Sequence, residues 1–545
     1  MKKLLFFSLA LMLSAHIFSQ STTWEKAYDI IQANCASCHV EGHISGLALD
    51  GSISEVYDNL FDITPSNAVA AAKNFKRVKP GDPYTSFLFT KINNGLALDV
   101  HLEAGEGDAC PQGAAPLNNK DIELIRQWII YGAFESDTLV DMDLITDFYD
   151  NGGIQSIPSP PSPPAEGEGF QIHFGPFFLW PEEEHEYWLK YYTGLPEDLE
   201  VNRLDTYMGD YSHHFITYKY FNPIFAAGVQ NGLHDGPEFA GIDLVSANQY
   251  SDSIKLPQGT AFPWTANTIL NLNSHYINYS TEKVLACEVY LNIFTQPTGT
   301  ALQPMISVLL SNQSFNVPNN GLPYTDEASA FENGHGDDEL FIWAMSCHTH
   351  KYGEDFNIYK RTDGVKGTQI FDGACGATNG IPGCLDEIYD YKHPPTRYWP
   401  EMLPIKWEDG IIYQTTWIND GPENVGFGLT SDDEMMVMMY FYVDDTTGLN
   451  LPAQPVAIDE LPESNDIKIY PNPAGDVFYI YLSGTENKNA FISLFDMNGD
   501  LIYSDDTENK NIITIPTTDL PRGIYMVSIQ NESGDRIRNE KIILH

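Results

Sequence analysis

Hydrophobic spacing divides the chain into unlike stretches. Near the start, Trp24, Ala27, Tyr28 and Ile31 recur at helical spacing. Ile122, Ile125 and Ile129 repeat that spacing after Asn118-Asn119, which can cap a helix, and Gly132 closes it. Beyond residue 170 the period becomes two. His213 to Phe221, Val284 to Phe294 and the run Met435 to Val443 all predict strands, with turn clusters such as Asn319-Asn320-Gly321 between them. The C-terminal stretch alternates as well, at Val477 to Leu482 and Ile524 to Ile529.

Two stretches without core material separate these regions. Residues 151–169 are rich in proline and read as a semi-rigid spacer, and residues 446–465 carry the pairs Leu451-Pro452 and Leu461-Pro462. The expected architecture is multidomain. It comprises a small all-α domain at 21–150, two mainly-β domains at 170–297 and 298–445, and a β-sandwich at 466–545. Residues 1–20 open with Met1-Lys2-Lys3, run apolar from Leu4 to Leu13, and turn polar. They are expected to be a signal peptide, because a membrane span needs about 20 apolar residues. No later segment is apolar enough over that length to span a bilayer.

Composition then narrows the partners. With 545 residues, 43% hydrophobic and 12% aromatic, the chain has ample material for several cores. Its 75 acidic against 29 basic residues give a net charge of −46, which argues against nucleic acid or an anionic membrane surface as a partner. Seven cysteines in an exported chain permit disulfides.

Cys35-Ala36-Ser37-Cys38-His39 is the covalent c-type haem attachment pattern. Two thiols add to the two vinyl groups of one porphyrin, and the next residue brings an imidazole to the iron. A structural zinc site would need a second Cys or His pair at suitable spacing, and none is near. The surroundings are Gly46-Leu47-Ala48-Leu49-Asp50, Lys79-Pro80-Gly81-Asp82-Pro83 with Ser86, and Trp128-Ile129 with Gly132-Ala133. Together they resemble a planctomycete-type cytochrome c domain. That class supplies the sixth iron ligand from a Met-Pro before the last helix, where this chain has Cys110-Pro111. Cys110, His101 and His43 are the alternatives for that position, and each is otherwise an ordinary loop residue. Two thioethers at Cys35 and Cys38 leave five cysteines. Disulfides Cys375–Cys384 and Cys287–Cys347 would then leave Cys110 over.

The middle of the chain carries three histidine groups: His213-His214, His275, and His348-Thr349-His350. Residues two apart on a strand share a face, so His348 and His350 can converge on one metal, while Cys347 points away. His213 and His214 diverge on a regular strand and can share an ion only at a bend or strand end. Three imidazoles suit copper or zinc, and two imidazoles with a thioether favour cuprous copper. A thioether is available in Ser431-Asp432-Asp433-Glu434-Met435-Met436-Val437-Met438-Met439, a run that otherwise reads as a core strand.

This ordered series over residues 170–445 resembles the copper type II monooxygenases, whose familiar members are peptidylglycine α-hydroxylating and dopamine β-monooxygenase. The resemblance implies two jellyroll-like domains and two copper ions. His213, His214 and His275 would hold the electron-storing ion. His348, His350 and Met435 would hold the ion where O₂ reacts. The peptide-hydroxylating member has an Arg two residues before its His-x-His and a Tyr four after its Met; here these places are Ser346 and Met439. The grip on a peptide carboxylate is therefore not carried over. What is expected is C–H hydroxylation of a small molecule or peptide with O₂ and an external reductant, the haem supplying or relaying electrons. The competing expectation is a non-catalytic haem and copper electron-transfer or metal-binding surface protein. His173, His185, His234, His335 and His393 read as structural or surface residues.

Tyr470-Pro471-Asn472-Pro473 and Gly523-Ile524-Tyr525 in the C-terminal stretch resemble the type IX secretion sorting domain. The resemblance implies a seven-stranded β-sandwich read by that export machinery, and a secreted or cell-surface protein that passes through the periplasm.

Overall fold

The computed structural model describes residues 21–452 except 235, 237–240, 249, 376–379, 383–388, 393 and 429–431. Beyond them it describes 467–470, 474–475, 477–482, 490–496, 501–506, 510, 512–518, 520–530 and 536–544. The expected signal peptide, Cys384, His393 and Ser431 lie outside the described residues. Strands dominate, and the chain divides into two units, Met1–Pro452 and Ala453–His545.

Apart from a short helix at Pro223–Ala226, the α-helices lie early in the first unit: α1 (Thr23–Asn34), α2 (Ile53–Leu60), α3 (Ala68–Ala72), α4 (Phe87–Ile92), α5 (Asn119–Ile130) and α6 (Met142–Asn151). Thr22 and Glu25 form a capping box at the start of α1, and Asn118 caps α5 by accepting from the Asp121 amide. The faces read from the sequence meet: Trp24 of α1 stacks on Trp128 of α5 at 4.8 Å, over buried Ala27, Ile31, Ile122, Ile125 and Ile129.

The strands of the first unit follow. The first two-sheet layer contains β1 (Gly169–Leu179), β2 (Glu184–Tyr192), β3 (Leu199–Met208), β4 (Ser212–Tyr220), β5 (Ile242–Asn248), β6 (Ile269–Ile277) and β7 (Leu285–Pro297). In one sheet β7 pairs antiparallel with β1 and β3. In the other, Gly232–His234, β2, β6, β4 and β5 lie side by side in that order. The second layer contains β8 (Ile306–Ser311), β9 (Pro323–Ala330), β10 (Glu339–His348), β11 (Gly353–Thr362), β12 (Val365–Asp372), β13 (Thr396–Lys406), β14 (Ile411–Ile418) and β15 (Val437–Val443). Its sheets run β8-β15-β10-β13 and β9-β14-β11-β12. One buried cluster joins the two layers, with Phe262 and Phe441 5.8 Å apart.

Met435 was expected inside a strand, but β15 begins at Val437. The reason is local. The Met435 amide donates to its neighbour's carboxylate, Glu434 Oε2 at 3.2 Å, instead of to a ladder partner.

The helical segment and the first β layer are packed directly together. The proline-rich stretch runs along the sheet, where Gln171 donates to the Pro161 carbonyl and Asn292 to that of Ser162. Three glycines with positive φ meet at the junction: Gly81, Gly132 and Gly232. A Cβ on Gly81 would stand 2.8 Å from Gly232 Cα, and one on Gly232 would stand 2.7 Å from Gly132 Cα, so only backbone fits there. Beside them His173 is buried between stacked Tyr84 and Tyr290, with ring centroids at 3.9 and 4.0 Å. Its Nδ1 bonds Asp99 at 2.9 Å and its Nε2 bonds Glu288 at 2.6 Å. The two carboxylates outweigh burial and raise its pKa.

The expected disulfide Cys287–Cys347 is absent: both thiols are free and buried. They belong to separate cores. Cys287 donates to the Phe177 carbonyl within the first, and Cys347 lies 3.8 Å from the Tyr389 hydroxyl in the second. Cys375 is disulfide-bonded.

Described by itself, the second unit holds β16 (Ile467–Tyr470), β17 (Val477–Leu482), β18 (Phe491–Phe495), β19 (Leu501–Asp506), β20 (Ile512–Pro516), β21 (Gly523–Gln530) and β22 (Arg536–Leu544). They form the sheets β16-β17-β20 and β19-β18-β21-β22 around one apolar core. Among the described residues no helix is long and apolar enough to cross a membrane.

Candidate metal centres

The haem motif folds into one turn at the end of α1. The Cys35 amide caps the helix onto Ile31, and the amides of Cys38 and His39 both donate to the Cys35 carbonyl, at 3.2 and 3.1 Å. Both thiols are free. Burial first, then the neighbouring Cys110 and Cys38, pushes the Cys35 thiol up to about 11. Cys110 therefore comes within electrostatic reach of the motif, anchored by its amide on the Lys91 carbonyl at 2.8 Å. His43 lies beside His39, with rings 5.1 Å apart, and both share the Ser45 hydroxyl. His101 is exposed. Val40 and Ile44, just past the motif, are exposed apolar side chains.

The histidine triad depends on a defect in strand pairing. His214 on β4 stands opposite His275 on β6, but Ser212 stands opposite Tyr276, so His213 is an extra residue in a β-bulge. The bulge lifts the objection that adjacent histidines diverge on a strand. One ring nitrogen of each of His213, His214 and His275 lies within 4.8 Å of one from each of the others.

The next strand adds carboxylates. Glu186 on β2 pairs directly with His275, so Glu186, His275 and His214 form a row across three strands. Glu184 Oε1 accepts from His275 Nε2 at 2.7 Å. Asn273 donates its amide to Glu186 Oε1 at 2.9 Å, which turns its own oxygen toward His214 Nε2, also 2.9 Å away. Both rings thus carry their proton on Nε2 and their lone pair on Nδ1. Burial raises the Glu186 carboxyl, but the bonds from His214 and Asn273 outweigh it and hold the pKa below the usual range.

His348, His350 and Met435 all lie at or just beyond strand ends. His348 closes β10 opposite Val437 of β15, Met435 lies just before β15, and His350 follows in the turn with its ring 5.2 Å from that of His348. Met435 is buried. His350 Nδ1 donates to the Asp433 carbonyl at 3.1 Å, leaving the lone pair on Nε2. Burial first, then the neighbouring imidazoles of His350 and His214, pushes His348 down to about 3. It is therefore a neutral donor at neutral pH.

Glu434 organises this loop, a role sequence reading did not assign. Its carboxylate accepts from the amides of His350 (3.0 Å), Tyr352 (2.7 Å) and Met435 (3.2 Å), and from the Trp417 indole (2.9 Å). Burial nevertheless raises its pKa to about 7. Ser346 donates to the Pro395 carbonyl at 2.8 Å and faces Met439 across the ladder. Glu184, Glu186 and Asn273 were also not singled out from sequence. The alternation Glu184-x-Glu186 marks a shared face, but only strand order places that face beside His275.

Comparison with known proteins bears on one end of the chain. No curated protein matches. Among solved structures the similarities are faint. A β-glucuronidase from Ruminococcus gnavus in complex with uronic isofagomine is 11% identical, over 41% of this chain and 34% of that one, with a TM-score of 0.16. A protein of an archaeal virus described by its triple jelly roll fold is 7% identical, over 51% of this chain and 59% of that one, with a TM-score of 0.14. The BSP domain of a biofilm-associated protein is 8% identical over 71% and 84%, also at 0.14. The chain spans about a third of the length of the glucuronidase. Scores this low assign neither fold nor function. Residues 468–545, however, match the family described as Secretion system C-terminal sorting domain. This is a type IX secretion signal, and it identifies the chain as a secreted or cell-surface protein that engages that machinery.

Proposed function

We propose that this protein is a secreted, haem-fused copper monooxygenase that hydroxylates a C–H bond of a small-molecule or peptide substrate. The observation that carries the reading is the bulge at His213, which gathers three imidazoles no regular strand would gather. The donor sets fit the ions. Three imidazoles, two of them with Nε2 held by outer acceptors, suit copper in either oxidation state, and two imidazoles with a buried thioether favour cuprous copper. Two jellyroll-like domains are the matching fold expectation.

Copper held by His213, His214 and His275 and by His348, His350 and Met435 would supply one-electron chemistry and the activation of O₂ toward a C–H bond. Haem c held by Cys35, Cys38 and His39 would supply reversible one-electron transfer, with Cys110 or a histidine as its further ligand. The chain's own residues do the rest. Asp433, through its carbonyl, fixes the His350 tautomer, and the Glu434 carboxylate holds the loop carrying His350 and Met435. His348 stays unprotonated and available as a donor. Ser346 is uncharged and its hydroxyl donates to the backbone, so it offers a substrate carboxylate no counter-charge. Packing of the helical segment on the first β layer keeps the haem motif and the triad in one body.

The test is metal analysis with an absorption spectrum and oxygen uptake on the purified chain. One covalent haem, two coppers and substrate-dependent O₂ consumption are expected. Haem and copper without any such consumption would favour an electron-transfer or metal-holding protein. No retained copper would end the oxygenase reading.

A further inference from the structure

The imidazoles of His214 and His275 differ from that of His350 in what stands behind them. At the triad the outer partners are anionic: Glu184 on His275, and Glu186 on His214 through Asn273, with Glu186 Oε1 itself 3.4 Å from His214 Nε2. At the second centre the outer partner of His350 is a neutral carbonyl, and the nearby Glu434 carboxylate is taken up by backbone amides and an indole, not by imidazole nitrogen. A hydrogen-bonded carboxylate behind a ligand imidazole fixes its tautomer and makes it a stronger donor, and negative charge favours the more highly charged ion.

We propose that Glu184 and Glu186 are positioning residues of the triad. They hold His275 and His214 with Nδ1 directed at the ion, and they bias that centre toward cupric over cuprous copper. This rests on the copper reading above. Its consequence is an affinity of the triad for Cu(II) that depends on both carboxylates. No motif encodes this, because the carboxylates come from a strand some ninety positions before His275, brought alongside by the order β2-β6-β4.

The test uses the full chain in a His348→Ala/His350→Ala background, so that only the triad is read. Cu(II) and Cu(I) are titrated against chromogenic chelators, and pulsed EPR reads the coupling of the remote imidazole nitrogens. Glu184→Gln/Glu186→Gln keeps an acceptor and removes charge. It is expected to weaken Cu(II) binding about tenfold, the low end for outer partners because both side chains are partly exposed, and to weaken Cu(I) binding less. Glu184→Ala/Glu186→Ala also removes the contacts and is expected to change the remote-nitrogen coupling. Glu182→Gln, which removes a nearby charge without such a contact, is expected to change neither. Equal Cu(II) and Cu(I) effects, or variants indistinguishable from the starting protein while copper still binds, would overturn the proposal alone. A triad that binds no copper before any Glu is changed would overturn it together with the copper reading.

Discussion

The two candidate centres solve the same problem, gathering soft and imidazole donors, by different means. The triad sits inside a sheet. Its rings are aligned by the ladder between β2, β6 and β4, and one bulged residue completes the set. The second centre sits where strands end, and a single buried carboxylate takes over the hydrogen bonds the ladder no longer supplies. A centre built on a ladder inherits the rigidity of the sheet, whereas one built on a clamped loop is only as ordered as its clamp.

Removing donors tests that comparison most strongly. His275→Ala and His348→Ala should each remove one of two coppers and abolish turnover, leaving the EPR signal of the other centre intact. Loss of both ions from either change would show that the centres are not separable. Cys35→Ser/Cys38→Ser should abolish covalent haem, read by haem staining of a denaturing gel, while copper content stays unchanged. Glu434→Leu should cost about 3 kcal/mol or more in urea unfolding, because it orphans several buried donors, and should empty only the His348 centre. If copper analysis showed the triad lost as well, the clamp would serve both.

His173 gives the smallest expected effect and the sharpest contrast. Its side chain is buried, yet both its nitrogens are committed to carboxylates, so it has no lone pair to offer a metal. Its folded pKa is raised, so its pairing stabilises the fold fully below the unfolded value near 6.5, and that contribution is lost as pH rises through the folded value. Asp99 is depressed, burial being outweighed by His173. Its share is present above about 3.8 and is lost as pH falls through the folded value. Stability from this cluster should therefore plateau between those limits. His173→Gln should cost roughly 1.5–3 kcal/mol at pH 6 and flatten the decline on the alkaline side, as read by urea unfolding across pH. An unchanged profile would remove His173 from the junction's energetics.

Much of the scaffold is legible locally. The faces of α1 and α5, the alternation through β4, β7, β17 and β21, and the caps at Thr22 and Asn118 are written within a few residues of each position. The start of β15 is not, because Glu434 replaces a ladder bond that local alternation takes for granted. Nor is the pairing state of Cys287 and Cys347, which occupy different cores. The proline-rich stretch looks like a spacer in composition, but its carbonyls find amide donors on the neighbouring sheet.

The sequence by itself determined the chemistry available: a Cys-x-x-Cys-His turn, five grouped histidines with a methionine, and a sorting domain at the end. It determined these because donor identity and local period are properties of neighbouring residues. Tertiary structure decided which donors meet. His213 and His214 reach His275 only through a bulged register, and Glu184 and Glu186 stand behind them only through strand order. Both are set by hydrogen bonds between segments distant in the chain, which no local pattern records.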